Sequence, residues 1–452
     1  MPTVDADLPF GTTPEEFSAR IFGSREPWPD AGDAGAAGLE LIPFRGVRFA
    51  PEVVGDLGAV TTPPYDLIDE DEVRRLMASD GHNAVRLILP PGDGDDGYRR
   101  AAATLRRWLA DGALVADDEP ALYLYEAAAE DGTRQRGLIG AVGLRPESAR
   151  VILPHENVFP GPVRDRLSLM TATGANLEPI FLVYEGAGAA GPVDEIADGT
   201  PPLVEFRAGD GTSHRLWRVT DPAQHARIAA GLRGRRALIA DGHHRYATYR
   251  ALQARHRAAG DGAGPWDYGL ALLVDSTRYP PHLGAIHRVL PGLAPETAVE
   301  RARAAFRVIG PFDGLGEAVE ALAREKGPAF LVGGGERLHL LTEPGEEWLA
   351  RVMPAEHSER WRRLDTAVLD RLLVERLWGI AADEHTVEVV HDDPGAAVAR
   401  ARRAGGTAVV MNPLAVADVL AVAEGGERVP RKSTSFGPKP RTGLVLRLLD
   451  LG

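Results

Sequence analysis

The stretch Arg236 to Arg250, RALIADGHHRYATYR, restricts the possible folds of this chain more than any other. The apolar run Ala237-Leu238-Ile239-Ala240 is short and uninterrupted, as a strand covered on both faces would be. Asp241 then stands where a helix N-cap is wanted, Gly242 permits a sharp turn, and Tyr246, Tyr249 and Leu252 continue at helical spacing. Strand, turn and helix in that order predict a mixed α/β fold. Such a turn aims the positive end of a helix outward, and with His243, His244 and Arg245 in its first turn the geometry suits a phosphate. Two adjacent histidines and an arginine repel one another unless an anion or carboxylate neutralises them. The plainer alternative is that Asp241 only caps the helix and the histidines decorate the surface.

With 452 residues the chain is too long for one ordinary core. Its formal charge of −14 argues against nucleic acid as a general partner, because no long basic face is available. The absence of cysteine excludes disulfides, thiolate catalysis and cysteine-based metal sites. Acidic residues near the start and the lack of any long apolar run predict neither a signal peptide nor a membrane span, hence a cytoplasmic protein. Nearly all basic residues are arginine; the lysines are Lys326, Lys432 and Lys439. In such a chain a lysine marks a place where a compact ammonium is wanted.

Read in order, residues 1–38 form a Gly-, Ala- and Pro-rich flexible leader. An α+β core follows over 39–293 and a C-terminal α/β domain over 294–452, where helices alternate with short strands. In the core, Pro63 and Pro64 stiffen a loop that presents Tyr65 and Asp66 as a ligand wall, or Asp66 as a helix cap. NAVRLILP reads as a strand, and Tyr98 to Leu114 as an amphipathic helix with Ala102, Leu105, Trp108 and Leu109 on one stripe. Two hairpins are expected, turning at Asp131-Gly132 and Asp210-Gly211. Between two strands, residues 151–184 gather His155, Glu156, Arg164, Asp165, Arg166, Asn176 and Glu178, with Pro160-Gly161-Pro162 as a turn. His155 and Glu156 offer a base and a substrate or metal ligand. His287 and Arg288 follow an apolar pair and are candidates for the same pocket. Near the end, Gly426 to Ser433 approaches a Walker loop, but Arg431 replaces the second glycine and prolines forbid the helix that should follow. Lys432, Ser433, Thr434 and Lys439 nevertheless make a basic, hydroxyl-rich segment suited to closing an anionic site.

Neither a G-x-S-x-G elbow nor an H-E-x-x-H zinc motif occurs. Phosphoryl transfer needs phosphate ligands, Mg²⁺ on a carboxylate and a base for the acceptor hydroxyl. Asp241, Glu156 and Asp66 are the carboxylates available for the last two roles.

The set PPYD (Pro63 to Asp66), HE (His155, Glu156), RDRLSLMTATGAN (Arg164 to Asn176), DGHHRY (Asp241 to Tyr246), HR (His287, Arg288) and KSTSFGPKPRTG (Lys432 to Gly443) resembles the bacterial and archaeal family known as domain of unknown function 1015. The likeness runs from Leu39 to the C-terminus. More distantly, the strand-DGHHR-helix unit is similar to the phosphate loop of the ParB/sulfiredoxin-like fold, which includes free-serine kinases. This implies a ParB/sulfiredoxin-like nucleotide-binding core with additional α/β parts, and phosphate contacts from Gly242, His243, His244 and Arg245. Arg288, Lys432, Ser433, Thr434 and Lys439 would assist them. Tyr65, Asp66, Arg164, Arg166, Asn176 and His287 would face the substrate. By role, Glu156 is the expected base, with His155 and Asp241 beside it and Asp241 on Mg²⁺. The expected activity is a kinase using ATP or ADP on a small hydroxyl metabolite, with free L-serine as the first choice. The rivals are a non-catalytic nucleotide or phosphometabolite sensor and a metal-dependent phosphohydrolase. The oligomeric state stays open.

Overall fold

The computed structural model describes residues 38–92, 94–186, 188–335, 337–381 and 386–451, so the expected leader lies, but for Gly38, outside the described residues. The fold is mixed α/β and divides into two compact units. One comprises the chain up to Pro281 together with Pro438–Gly452, and the other is His282–Gly437. The break between them falls at 281/282, two strands before residue 293, and the chain comes back to the first unit at Pro438. Strand Ile286–Leu290 belongs to the second unit because its hydrogen-bond partners are Glu388–His391 and Thr407–Met411. No local pattern marks such long-range pairing.

The first unit is built on a nine-stranded sheet among the described residues. Its middle is Tyr268–Asp275, antiparallel to Arg134–Gly143 and parallel to Ile180–Tyr184. Ala237–Asp241 runs antiparallel to Ile180–Tyr184 and parallel to the short strand Ile152–Leu153. All five residues of Ala237–Asp241 are buried, as the unbroken apolar run predicts. Both expected hairpins form, with Gly132 (φ 89°) and Gly211 (φ 84°) in the left-handed region that their turns require.

A second, four-stranded sheet joins Leu114–Ala116, Gly46–Phe49, Leu446–Leu448 and Ala175–Asn176, so the last residues of the chain complete the first unit. Phe49, Leu105, Trp108, Leu446 and Leu448 are buried in the core against it. The helix expected over Tyr98 to Leu114 forms as Gly94–Ala110, four residues earlier at each end, and buries Ala102, Leu105 and Trp108, while Leu114 opens a strand. NAVRLILP, by contrast, is a short helix, Val85–Ile88, and not a strand. Asn83 accepts from the amide of Val85 at 2.9 Å and starts the turn, while Val85, Leu87 and Ile88 are all buried. A run apolar on every side carries no period, so burial rather than alternation decided its form. Likewise, Pro160-Gly161-Pro162 opens the helix Pro160–Thr173 rather than standing as a separate turn, since proline is tolerated in a first helical turn.

The second unit has a six-stranded sheet in the order Arg307–Phe312, Leu338–Thr342, Phe330–Gly333, Thr407–Met411, Ile286–Leu290 and Glu388–His391. Helices Pro295–Ala302, Leu315–Ala323 and Pro394–Ala404 pack on it. Asp365 begins a helical segment here, and burial together with the neighbouring Asp418 pushes its carboxyl up to about 7. Its proton is therefore held more tightly in the folded than in the unfolded chain, so stability is lost as pH rises from about 4 to about 7. Asp365→Asn is expected to be more stable than the parent by ~1–3 kcal/mol at pH 8 and nearly equal at pH 4. Urea unfolding at the two pH values measures this, and an equal gain at both would refute it.

Candidate functional site

Parallel strands Ile152–Leu153 and Ala237–Asp241 release their chains at the same end of the sheet, the carboxyl end where ligands of open α/β sheets bind. Because Ile180–Tyr184 runs the opposite way, its entry, Glu178-Pro179, arrives at that end too. A register shift between Ile239 and Asp241 bends the strand there, which re-aims Asp241. Gly242 follows at φ 90° and leads into the helix His243–Ala259. A Cβ on Gly242 would lie 3.1 Å from both Arg245 Nε and Ile180 Cγ2. Gly242→Ala is accordingly expected to destabilise the protein by ~1–2 kcal/mol, from left-handed strain and displacement of Arg245. A melting temperature unchanged from the parent would contradict this.

Asp241 is not the helix cap that the sequence suggests: no side chain caps this helix, and Gly242 holds the N-cap position. Its carboxylate is instead shared by two cations, with Oδ2 accepting from Arg245 and Oδ1 lying 2.5 Å from Lys439 Nζ. Lys439 also stands 3.5 Å from Asp66 Oδ2. Asp66 sits in a short turn, Tyr65–Leu67, and the following helix is capped by Asp69, so Asp66 is not its cap. Burial opposes the charge on Lys439, yet Asp241 and Asp66 hold its ammonium above the ordinary lysine value.

Glu178, which the sequence places among the charged residues of 151–184, joins this group through Tyr65 and Thr442. It is 5% exposed, and its Oε1 accepts from the Tyr65 amide at 3.0 Å and the Thr442 hydroxyl at 3.1 Å. Burial pushes its carboxyl up, against the pull of Arg245 and Arg166. Arg166 stacks on the Tyr65 ring, 4.5 Å from its centre, and pairs with Asp165. Burial, aided by Asp66 and Glu178, lifts the Tyr65 phenol above its usual range and keeps it protonated. Thr62 and Thr442 exchange backbone hydrogen bonds, and Arg441 donates to Thr61, which ties the Lys439 segment to the Tyr65 loop.

His243 and His244 face the loop that carries Glu156. The His155 amide donates to His243 Nε2 at 3.2 Å, and the Phe159 amide donates to His244 Nε2 at 3.0 Å. Each ring therefore accepts at Nε2, which requires its unprotonated nitrogen there. The rings of His155 and His243 meet edge to face, 4.5 Å apart. His243 and His244 thus hydrogen-bond to the two ends of the half-buried Glu156 loop. Arg245, 4% exposed, donates to Asp241 and to the Pro179 carbonyl.

Arg164 and Asn176, also expected at the site, have other surroundings in the first unit. Arg164 is exposed on its helix. Asn176 is buried, and its Oδ1 accepts from the Leu270 amide and from Arg447, a framework role in the sheet. His287, Arg288, Lys432, Ser433 and Thr434 belong to the second unit. There Met411 donates to His287 Nδ1, Arg288 donates to the Lys432 carbonyl at 2.9 Å, and the Ser433 hydroxyl donates to Thr366.

The carboxylates do not fit the expected Mg²⁺ as they stand. Both oxygens of Asp241 already face cations, and the Lys439 ammonium occupies the space between Asp241 and Asp66. Among the described residues no group of three or more His, Asp or Glu side chains is placed to hold a metal ion.

The family described as "Protein of unknown function (DUF1015)" matches residues 41–367. No curated protein sequence matches the chain. Among solved structures, a C-terminally truncated SbnI from Staphylococcus aureus is similar at 14% identity and TM-score 0.34, covering 69% of this chain and 87% of that one. A free serine kinase in complex with AMP is similar at 16% identity and TM-score 0.33, covering 67% and 90%. A conserved hypothetical protein from Pyrococcus furiosus stands at 18% identity and TM-score 0.31, covering 67% and 94%. No helix of the described residues is long and apolar enough to cross a membrane.

Proposed function

The chain belongs to the DUF1015 family of proteins of unknown function, and on that premise we propose that its first unit is a nucleotide-dependent phosphotransferase acting on a small hydroxyl compound, free L-serine first among them. The observation that carries this reading is the convergence at one sheet end of a glycine turn, the positive end of a 17-residue helix, and a lysine and arginine around Asp241. A helix start beside fixed cations favours a phosphate-bearing ligand. Glu156, held on a loop that His243 and His244 support at both ends, is the group assigned to take the proton of the acceptor hydroxyl. The exposed Asp66 and the half-buried Tyr65 beside it stand where an acceptor would be received. ATP and ADP are the proposed donors.

The test is phosphate transfer from ATP, ADP and CTP in turn, in buffer containing Mg²⁺, to a panel of small hydroxyl compounds that includes L-serine. The mass of the product is the readout. A phosphorylated product from one acceptor is the expected result. Nucleotide binding by calorimetry without any product would replace the kinase by a sensor, and phosphate release without an acceptor would replace it by a hydrolase.

A further inference from the structure

We propose that Lys439 is the resident cation of this site: its ammonium takes the place between Asp66 and Asp241 that a divalent ion would otherwise fill. The protein then meets an anionic ligand with a tethered charge rather than with an ion bound to these carboxylates. The two acids come from separate elements, the turn Tyr65–Leu67 and the end of the strand Ala237–Asp241, and what joins them is the Nζ atom at 3.5 Å and 2.5 Å. Two carboxylates converging on one point are the beginning of a hard-cation site, and the point is occupied by a side chain.

Three further observations make the placement specific. Lys439 is one of only three lysines in a chain that otherwise uses arginine. An ammonium is a compact point charge that fits between two oxygens as an ion does, whereas a planar guanidinium forks across them. Pro438 and Pro440 flank it, and Thr442 pairs with Thr62, so the segment is held where it is. The Lys439 side chain is 15% exposed, so it is not a solvated surface charge.

The inference deepens the phosphotransferase reading by naming the cation that its ligand would meet. Its test needs neither nucleotide nor acceptor, so the two can fail separately. Mn²⁺ is titrated into the full chain and followed by electron paramagnetic resonance. The parent protein is expected to show no ordered Mn²⁺ site at this position. Lys439→Met is expected to gain one site, binding about tenfold tighter or more than any site of the parent. Adding Asp66→Asn should abolish it. Mn²⁺ should also raise the melting temperature of Lys439→Met and leave that of the parent unmoved. Should the methionine variant not fold, Lys439→Gln, which keeps a hydrogen-bond donor, reads the same site. A site already present in the parent and lost in Asp66→Asn would overturn the proposal. So would Lys439 variants that fold and bind no Mn²⁺.

Discussion

Glu156→Gln is expected to lower the rate of phosphoryl transfer by about 10²–10⁴-fold while leaving nucleotide affinity within a factor of about two. The amide keeps the size of the side chain and removes its capacity to accept a proton. His243 and His244 accept from the backbone amides of His155 and Phe159, and these two supports remain in the variant. Affinity for nucleotide and rate of transfer therefore separate, which a loss of fold would not produce. The measurement is a pair, calorimetric affinity for ATP or ADP and the single-turnover rate with the acceptor found for the parent. If transfer is intact, Glu156 is not the base, and Asp66 becomes the carboxylate to examine.

Asp241→Ala is expected to cost about 3–5 kcal/mol of stability, because one partner of a buried ion pair is removed while the other stays. Arg245 is 4% exposed and loses its carboxylate, keeping the Pro179 carbonyl and the field of Glu178. Lys439 loses its nearer acid and keeps Asp66 at 3.5 Å. In a unit of this size such a loss lowers the melting temperature by roughly 6–20 °C. Combining Asp241→Ala with Lys439→Met should cost less than the sum of the two, since the second change removes a charge that the first left uncompensated. Thermal unfolding of the two single variants and the double variant checks both statements. A single-variant shift below about 2 °C would show that the cluster is solvated and weakly coupled.

Much of the local structure was legible from residue types. The apolar run before Asp241, the glycine turn and the helix after it appear where the spacing puts them, and so do the two hairpins, while the helix expected over Tyr98 to Leu114 forms four residues earlier, as Gly94–Ala110. These depend on interactions between near neighbours in sequence, which composition and period encode directly. The segment around Val85 was misread because a run apolar on every side has no period to read. For the charged group, legibility was partial. Tyr65, Asp66, Glu178, Asp241, Arg245 and Lys439 are recognisable as chemistry-bearing residues, but nothing local in the sequence brings Glu178 to the others. It joins the group because an antiparallel register carries its end of the strand to the carboxyl end of Ala237–Asp241. Asn176, equally prominent in sequence, is drawn into the sheet by Leu270 and Arg447 instead.

The residues themselves determined a mixed α/β chain with a strand-turn-helix centred on Gly242 and no cysteine chemistry. What only the tertiary structure decided is who neutralises whom: that Asp241 serves Arg245 and Lys439 rather than the helix, that two histidines hold the Glu156 loop, and that the chain end completes the first unit. Sequence specifies the charges and their local conformation. The partner of a buried charge is set by contacts between residues as far apart as Asp66 and Lys439, and burial makes that choice energetically decisive.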